Sequence, residues 1–272
     1  MRGEVQSLSH LILSPFIVSN YFSISDVHMA PLRIGVLFEN NQLSDIVGID
    51  LLGNCSTKYI QEAAEFGFGH LLPVAVDMEF LYISSTLEPT PTTPDVKIVP
   101  THTYETAPLG LDILVIGGPL LSVRPPASLT YMAEAAKQTK VIMTTCVGAL
   151  WLADSGALDG KRATTNRFAV PLAKQLHPKI DWLEQRWVVD DSGPCQFWTA
   201  GGAGSGKRLG HIIIYACRCS DPTIGIDMIA TYILRNFDEN LAKTACGALD
   251  FDPSVRGQFY SASLMLPEKG EA

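Results

Sequence analysis

The sequence turns from an apolar strand into an amphipathic helix around a single cysteine. Residues 141–143 (VIM) are typical of the end of a buried strand, and residues 149–156 (ALWLADSG) predict a helix that ends at Gly156. Cys146 lies between them, and Gly148 follows two residues later. A sharp strand-to-helix turn needs a small residue close by and holds its central side chain at the carboxyl end of the strand. Open α/β sheets bind ligands there, so Cys146 is either a nucleophile or a packed thiol.

Short apolar runs alternate with helical periodicity along the rest of the chain. This alternation predicts an α/β fold with a doubly wound, mostly parallel sheet. The predicted strands are residues 32–38, 71–84, 111–118 and 140–146, with further strands within 180–202. The predicted helices are residues 45–66, 127–138, 168–176 and 226–245, while the proline-rich residues 87–108 predict loops and short strands.

The composition limits the classes of partner and compartment. A chain of 272 residues suits one large domain with decorations, and its net charge of −8 argues against nucleic acid and anionic membranes as partners. Its six cysteines form no CxxC pair, and no His-x-x-x-His spacing accompanies them. We therefore expect no disulfide framework, no metal site and a cytoplasmic location.

The ends of the chain differ from its centre. Residues 1–28 are apolar and serine-rich but broken by Pro15, and Met29 stands directly before the first predicted strand. This predicts a disordered extension, or a start site assigned too early, for residues 1–28. The domain is then expected over residues 29–245, with a tail over residues 246–272.

One internal segment interrupts the α/β order. Residues 207–225 are locally basic, carry two of the six cysteines and separate a glycine-rich strand end from the last helix. Without them, the chain reads as strand, short turn and helix, with a connection of ordinary length. We interpret residues 207–225 as an inserted segment, either a genuine hairpin or a retained intron, because both boundaries can be encoded as splice-like sequences in the same phase.

Three stretches together resemble a known family. The stretches LDILVIGGP, TTCVGALWLADSGALDGKRATTN and TAGGAGSG…IDMIATYIL resemble the ThiJ/PfpI superfamily, which is class I glutamine amidotransferase-like. The stretch QLSDIVGIDLLG is similar to the isonitrile hydratase branch and its fungal relatives. The resemblance covers about residues 32–240. It implies a flavodoxin-like three-layer sandwich with a cysteine nucleophile elbow, a homodimer, a small-molecule substrate and no cofactor.

Cys146 and Asp45 are the candidate catalytic residues. Cys146 matches the family's elbow cysteine, where a helix N-terminus favours the thiolate, although a buried cysteine is often a small hydrophobic residue. Asp45 matches the acidic residue that the hydratase branch places beside the thiol, and a carboxyl group there can act as a general acid. The alternative role of Asp45 is an N-cap for the helix that follows.

Four further residues are candidates for substrate binding. Gly117 and Gly118 end a strand, and their backbone can join the Val147 N–H in a site for developing negative charge, or form a simple turn. Val147 stands where the hydratase branch often has threonine. Asn166 stands where many relatives have histidine, and an amide cannot take a proton from a thiol.

These residues favour one reaction over two alternatives. The resemblance implies hydration of an isonitrile to an N-formamide through a thioimidate on Cys146, with Asp45 as proton donor. One alternative is a non-catalytic ligand-binding or redox-sensing module in which Cys146 is oxidised reversibly. The other is a different cysteine hydrolase or a glyoxalase-like activity.

Overall fold

The computed structural model describes residues 30–202 and 224–252. The predictions for residues 1–28, for most of the segment 207–225 and for residues 253–272 lie outside the described residues. The described residues from Pro31 onward belong to one compact unit.

Eleven strands and seven α-helices make up the described residues, together with short 3₁₀ turns. The strands are β1 (Leu32–Leu37), β2 (Met78–Ser84), β3 (Thr90–Pro91), β4 (Lys97–Ile98), β5 (His102–Thr103), β6 (Ile113–Ile116), β7 (Val141–Thr145), β8 (Arg162–Ala163), β9 (Asp181–Trp182), β10 (Trp187–Asp190) and β11 (Gln196–Ala200). The helices are α1 (Ile49–Asn54), α2 (Thr57–Ala63), α3 (Pro126–Ala135), α4 (Gly148–Asp154), α5 (Val170–Leu176), α6 (Ile224–Asn236) and α7 (Glu239–Gly247).

Seven strands form the central sheet in the order β10-β11-β7-β6-β1-β2-β5. Its pairs are parallel except β10 with β11, which is antiparallel. The chain passes from β1 to β2 on one side and returns to β6 on the other, so the direction of winding reverses between β1 and β6. In doubly wound sheets, the crevice at the carboxyl ends of such strands is where ligands bind.

Helices cover both faces of this sheet. In β6, Ile113 and Val115 contribute to the hydrophobic cluster that includes α6 and α7. The alternate residues Leu114 and Ile116 contribute to the cluster that includes α3 and α4. Because both faces are buried, the central strands are continuous apolar runs, which is why the sequence revealed them. The predicted α/β sandwich with a mostly parallel sheet is confirmed.

The predicted helix over residues 45–66 is wrong as a single helix. It consists of a 3₁₀ turn at Leu43–Asp45, then α1, α2 and a second 3₁₀ turn. Ser56 is extended, and its side chain accepts a hydrogen bond from Tyr59 N–H, so it ends one helix and caps the next.

Two further element predictions need correction. The predicted helix over residues 226–245 is two helices, because Asp238 caps α7 by accepting hydrogen bonds from Asn240 and Leu241 N–H. The predicted strand over residues 71–84 begins only at Met78, after a 3₁₀ helix at Phe68–Val74. The other predicted strands and helices occur within a few residues of their expected bounds.

A buried ion pair lies where α6 meets the edge of the sheet. The Arg186 guanidinium pairs with the Asp227 carboxylate, and both side chains are almost completely buried. The Arg186 carbonyl also accepts a hydrogen bond from Gly201 N–H, directly after β11. The start of α6 is thereby tied to the end of β11.

Among the described residues, none of the helices is long and apolar enough to cross a membrane.

Candidate active site

Cys146 occupies a strained turn between β7 and α4. Its φ is +59°, and the other non-glycine residues with positive φ in the described chain are asparagine and aspartate. A cysteine in the left-handed region is uncommon and is held there by its surroundings. Cys146 N–H lies 3.1 Å from both the Ala200 and the Gly201 carbonyl oxygen.

Close packing behind the elbow depends on Gly148. A Cβ on Gly148 would lie 2.5 Å from the Ile116 carbonyl oxygen and 2.8 Å from the Gly117 carbonyl oxygen. The first turn of α4 therefore presses against the end of β6, and only glycine allows this approach. This contact brings the residue after the cysteine, Val147, next to Gly118.

Asp45 reaches the same place from the loop after β1. Its side chain is 3% exposed, and its Oδ2 accepts a 3.1 Å hydrogen bond from Gly118 N–H. A Cβ on Gly118 would lie 2.9 Å from Asp45 Oδ2 and 3.0 Å from Val147 N. The carboxylate and the peptide after Cys146 are thus neighbours across Gly118.

In this geometry, Gly118 N–H is therefore a hydrogen-bond donor to the Asp45 carboxylate. The sequence predicts that Gly118 N–H faces developing negative charge on a substrate, whereas in this structure the N–H donates to Asp45 Oδ2. Val147 N–H makes no hydrogen bond to any other described residue, so it is the donor left for a substrate. Gly117 permits close packing, since a Cβ there would lie 2.8 Å from both Asn41 Nδ2 and Ile46 Cγ2.

Asn166 contacts the thiol directly. Its Nδ2 donates to Cys146 Sγ at 3.4 Å. Its Oδ1 accepts a hydrogen bond from Phe168 N–H at 3.1 Å, which fixes the orientation of the amide. The sulfur consequently faces a hydrogen-bond donor where a histidine would offer a base. All six predicted site residues thus lie in one contiguous cluster at the carboxyl edge of the sheet.

The other described cysteines lie in different surroundings. Burial raises the pKa of the Cys55 thiol to about 12, and it raises the pKa of Cys195 and of Cys246 to about 11. Such thiols stay protonated and unreactive at neutral pH. No group of three or more potential metal ligands occurs within the described residues.

Three exposed apolar side chains lie close in sequence to residues of the site. Leu43, Leu120 and Phe168 are each more than a third exposed. Each stands two residues in sequence from a member of the cluster, namely Asp45, Gly118 and Asn166.

Two residues that contact the site, Asn41 and Thr165, were not predicted from the sequence. Asn41 is fully buried, holds the loop before Asp45 through the Leu37 carbonyl, and packs on Gly117. Thr165 Oγ1 donates a 2.8 Å hydrogen bond to the Cys146 carbonyl. The position of Thr165 beside Asn166 was the only available signal, and Asn41 gave none.

A second buried carboxylate, Glu39, was also missed. Its Oε1 accepts hydrogen bonds from Tyr104 Oη at 2.9 Å and from Ser85 N–H at 2.7 Å. Burial and the neighbouring Glu39 raise the pKa of the Tyr104 phenol, so it remains a donor. The cluster ties the ends of β1 and β2 to the loop after β5.

Solved structures with the same fold have low sequence identity. A THiJ/PfpI family protein from Pseudomonas syringae is 20% identical, with a TM-score of 0.61 over 90% of this chain and 84% of that one. An AraC family transcriptional regulator from Pseudomonas putida is 16% identical, with a TM-score of 0.58 over 80% of this chain and all of that one. Drosophila melanogaster DJ-1beta is 14% identical, with a TM-score of 0.55 over 82% of this chain and all of that one.

Sequence comparison gives the family. A search of curated proteins found no match. The DJ-1/PfpI family matches residues 62–214, which is more than half of the chain and includes Cys146, Asn166 and the Gly117-Gly118 pair, with Asp45 before the matched region. Together with the flavodoxin-like sheet and its neighbours, this match means that the chain belongs to the DJ-1/PfpI family.

Proposed function

We propose that this protein hydrates small isonitriles to N-formamides, with Cys146 as nucleophile and Asp45 as proton donor. The observation that carries the proposal is the pairing of an elbow cysteine with a buried carboxylate beside the next peptide, while an amide occupies the usual place of the base. This arrangement supplies a proton to a substrate and offers no imidazole to remove one. Isonitrile hydration needs that combination.

The first step adds the Cys146 thiolate and a proton to the terminal carbon of the isonitrile. The thiolate of Cys146 forms an S–C bond to that carbon, and the carbon takes a proton from Asp45. The product is a thioimidate, R–N=CH–S–Cys146. Because Asp45 Oδ2 accepts from Gly118 N–H, the transferable proton belongs on Oδ1.

The second step hydrolyses the thioimidate. Water adds to its carbon and gives up both of its protons, one to the nitrogen as the C=N bond becomes a single bond and one to the ionised Asp45. Val147 N–H stabilises the negative charge that develops on the new oxygen. The C–S bond then breaks as the C=O bond forms, which releases R–NH–CHO and restores the Cys146 thiolate and the protonated Asp45, so one isonitrile and one water give one formamide.

Exposed apolar side chains close in sequence to the site support a substrate with an apolar R group. They are Leu43, Leu120 and Phe168, each two residues from a member of the cluster. An isonitrile carries its polarity in the terminal N≡C group, which would meet the polar groups beside the sulfur. The proposal includes a homodimer that acts in the cytoplasm without metal or organic cofactor, as the family resemblance implies.

Redox sensing at Cys146 is the second candidate. Asn166 Nδ2 donates to the sulfur, and the same donor would stabilise an oxidised cysteine oxygen. A different cysteine hydrolase is less well supported, because Asn166 cannot act as the base of a Cys-His pair.

Formamide production by purified protein tests the proposal. A simple alkyl or aryl isonitrile should yield its N-formamide without added metal, and Cys146→Ser should abolish turnover. Asp45→Asn should lower kcat by about 10²–10⁴-fold, the usual contribution of a general acid. Asn166→Ala should cost much less, because the amide only positions the sulfur.

Asp50→Asn is the matched control. Asp50 lies five residues from Asp45 on α1 and is exposed, so the same chemical change should leave turnover intact. Activity that survives Asp45→Asn would remove the acid role. If no isonitrile gives a formamide and dilute peroxide oxidises Cys146 readily, redox sensing replaces hydration.

A further inference from the structure

We propose that Thr165 is a positioning residue that orients the Cys146–Val147 peptide, so that Val147 N–H faces the reaction centre. The inference rests on the proposed function in one respect: the reaction develops negative charge that needs a donor beside Cys146. Thr165 itself touches no substrate in this scheme. It acts through the backbone of the nucleophile.

Thr165 is held rigidly where it meets the elbow. Its side chain is fully buried, and its Oγ1 donates a 2.8 Å hydrogen bond to the Cys146 carbonyl oxygen. The preceding residue, Thr164, is fixed to β11, because its N–H donates to Thr199 Oγ1 at 2.8 Å. Thr164 Oγ1 donates in turn to the Gln185 carbonyl at 3.2 Å. The hydroxyl of Thr165 therefore approaches the elbow from a fixed position.

The planarity of the peptide turns this contact into an orientation of the next N–H. In a trans peptide, the C=O and the following N–H lie in one plane and point in opposite directions. With the Cys146 carbonyl directed at Thr165, Val147 N–H points the other way. On that side, Val147 N lies 3.0 Å from the place of a Cβ on Gly118, next to Asp45 Oδ2.

Other hydrogen bonds hold the backbone on both sides of this peptide, and the Val147 carbonyl accepts from Leu150 and Trp151 N–H. Cys146 N–H is held by the Ala200 and Gly201 carbonyls, so the backbone before the cysteine is anchored. Within residues 30–202 and 224–252, Val147 N–H donates no hydrogen bond that would fix its own direction. The hydrogen bond from Thr165 Oγ1 acts on the Cys146 carbonyl itself and holds that oxygen away from the site, where it would repel negative charge.

Two chemical probes separate an effect of Thr165 on the direction of Val147 N–H from a general loss of protein stability. Iodoacetamide alkylates Cys146 by displacement of iodide and places no charge near Val147 N–H. A simple aldehyde adds reversibly to the thiol: the S–C bond forms, the carbonyl pair moves to oxygen, and that oxygen takes the proton. Only the second reaction develops negative charge on an oxygen of the carbon bonded to sulfur, where the oriented N–H can bind it.

Thr165→Val removes the hydroxyl at nearly constant shape, and Thr165→Ser retains it. Thr165→Val should weaken aldehyde binding about tenfold, the usual effect of losing one buried hydrogen bond, while iodoacetamide alkylation stays within about twofold of wild type. In turnover, kcat should fall about tenfold at unchanged KM. Thr165→Ser should restore both aldehyde affinity and kcat.

The inference would be overturned if Thr165→Val weakened aldehyde binding and iodoacetamide alkylation equally, or if it changed neither. Thr165→Ala, which only removes atoms, makes the same test if valine does not fold at this position. The two proposals fail separately. A wild-type protein that makes no formamide but shows the aldehyde effect loses the proposed reaction and keeps the role of Thr165, whereas normal turnover by Thr165→Val removes that role alone.

Discussion

Asn166 Nδ2 lies 3.4 Å from Cys146 Sγ, and Oδ1 of the same amide accepts a hydrogen bond from Phe168 N–H. The second bond determines the first, because an amide that accepts from the backbone on one side must present its donor on the other. The sulfur is thus held against an N–H group that favours its ionised form without competing for its proton. This chemistry suits a thiolate whose acid partner is a carboxyl group elsewhere, on Asp45.

Substitution of Asn166 tests this electrostatic arrangement. Asn166→Asp keeps the cap for Phe168 N–H, since aspartate also caps well, but aims a carboxylate oxygen at the thiol. We expect alkylation of Cys146 at pH 7 to slow about tenfold or more, with Asn166→Ala between the two. Stopped alkylation time courses measure the rates, and matched melting temperatures exclude unfolding. An aspartate variant that reacts as fast as wild type would contradict the donor role.

Cys146 should be the most reactive thiol of the described chain. Burial raises the pKa of Cys55, Cys195 and Cys246 to about 11 or 12, whereas Cys146 adjoins a hydrogen-bond donor at the sheet edge. Iodoacetamide at mildly acidic pH should therefore modify Cys146 first, as read by peptide mass spectrometry. Cys146→Ser is the control and should remove the fast phase. Equal labelling of Cys195 or Cys55 would refute the ranking.

Two glycines with opposite surroundings give a matched pair for stability. Gly148→Ala would place a Cβ 2.5 Å from the Ile116 carbonyl oxygen, so we expect a loss of about 1–3 kcal/mol from overpacking. Gly53 in α1 has nothing within 4 Å of its Cβ position, and Gly53→Ala should be neutral or stabilise by about 0.5–1 kcal/mol. Urea unfolding measures both. Equal changes in the free energy of unfolding of the two variants would mean that the backbone around Gly148 can shift to accommodate the added methyl group.

Stability should fall at alkaline pH through buried thiols. The pKa of Cys55 is about 12 in the folded protein against an ordinary value of 9.0, so between these values the folded state holds more protons than the unfolded state. The contribution of Cys55 to the free energy of unfolding is complete below pH 9. It declines as the pH rises toward 12, by at most about 4 kcal/mol. Urea midpoints from pH 8 to 10.5 should decline, and less steeply in Cys55→Val. Identical slopes would remove Cys55 as the cause.

The sheet and the elbow were predictable because their signals are local. Strands buried on both faces leave apolar runs, and the cysteine with Gly148 marks the turn between strand and helix. The breaks at Ser56 and Asp238 were missed because each depends on one capping side chain inside a region of otherwise helical periodicity.

The contacts of the site depend on the folded chain. Gly118 and Asp45 are 73 residues apart in sequence, yet the N–H of one engages the carboxylate of the other. Periodicity and spacing place both residues at the carboxyl edge of the sheet, but they do not show which partner takes a given donor. The same holds for Thr165 and Cys146, which meet across 19 residues.

The chain before the inserted segment and the last residue of that segment, Gly225, are held at one place. Gly201 O accepts from Cys146 N–H, and a Cβ on Gly225 would lie 2.8 Å from Thr145 Cγ2, so both ends adjoin two consecutive residues. The Arg186–Asp227 ion pair joins the same two ends. None of these contacts requires residues 207–223, although Ile224 and Gly225 open α6 and are buried.

Deletion of residues 207–225 should therefore preserve the fold and the elbow. Gly206 would then precede Ile226 directly, so that glycine again occupies the position packed against Thr145, and residues 201–206 form a connection of ordinary length. We expect an equal or higher melting temperature and an unchanged alkylation rate at Cys146. Deletion of 208–225 instead retains Lys207 directly before Ile226, at the position packed against Thr145, and should destabilise the protein. A lower melting temperature for the 207–225 deletion, with slowed alkylation, would mean that the segment supports the site.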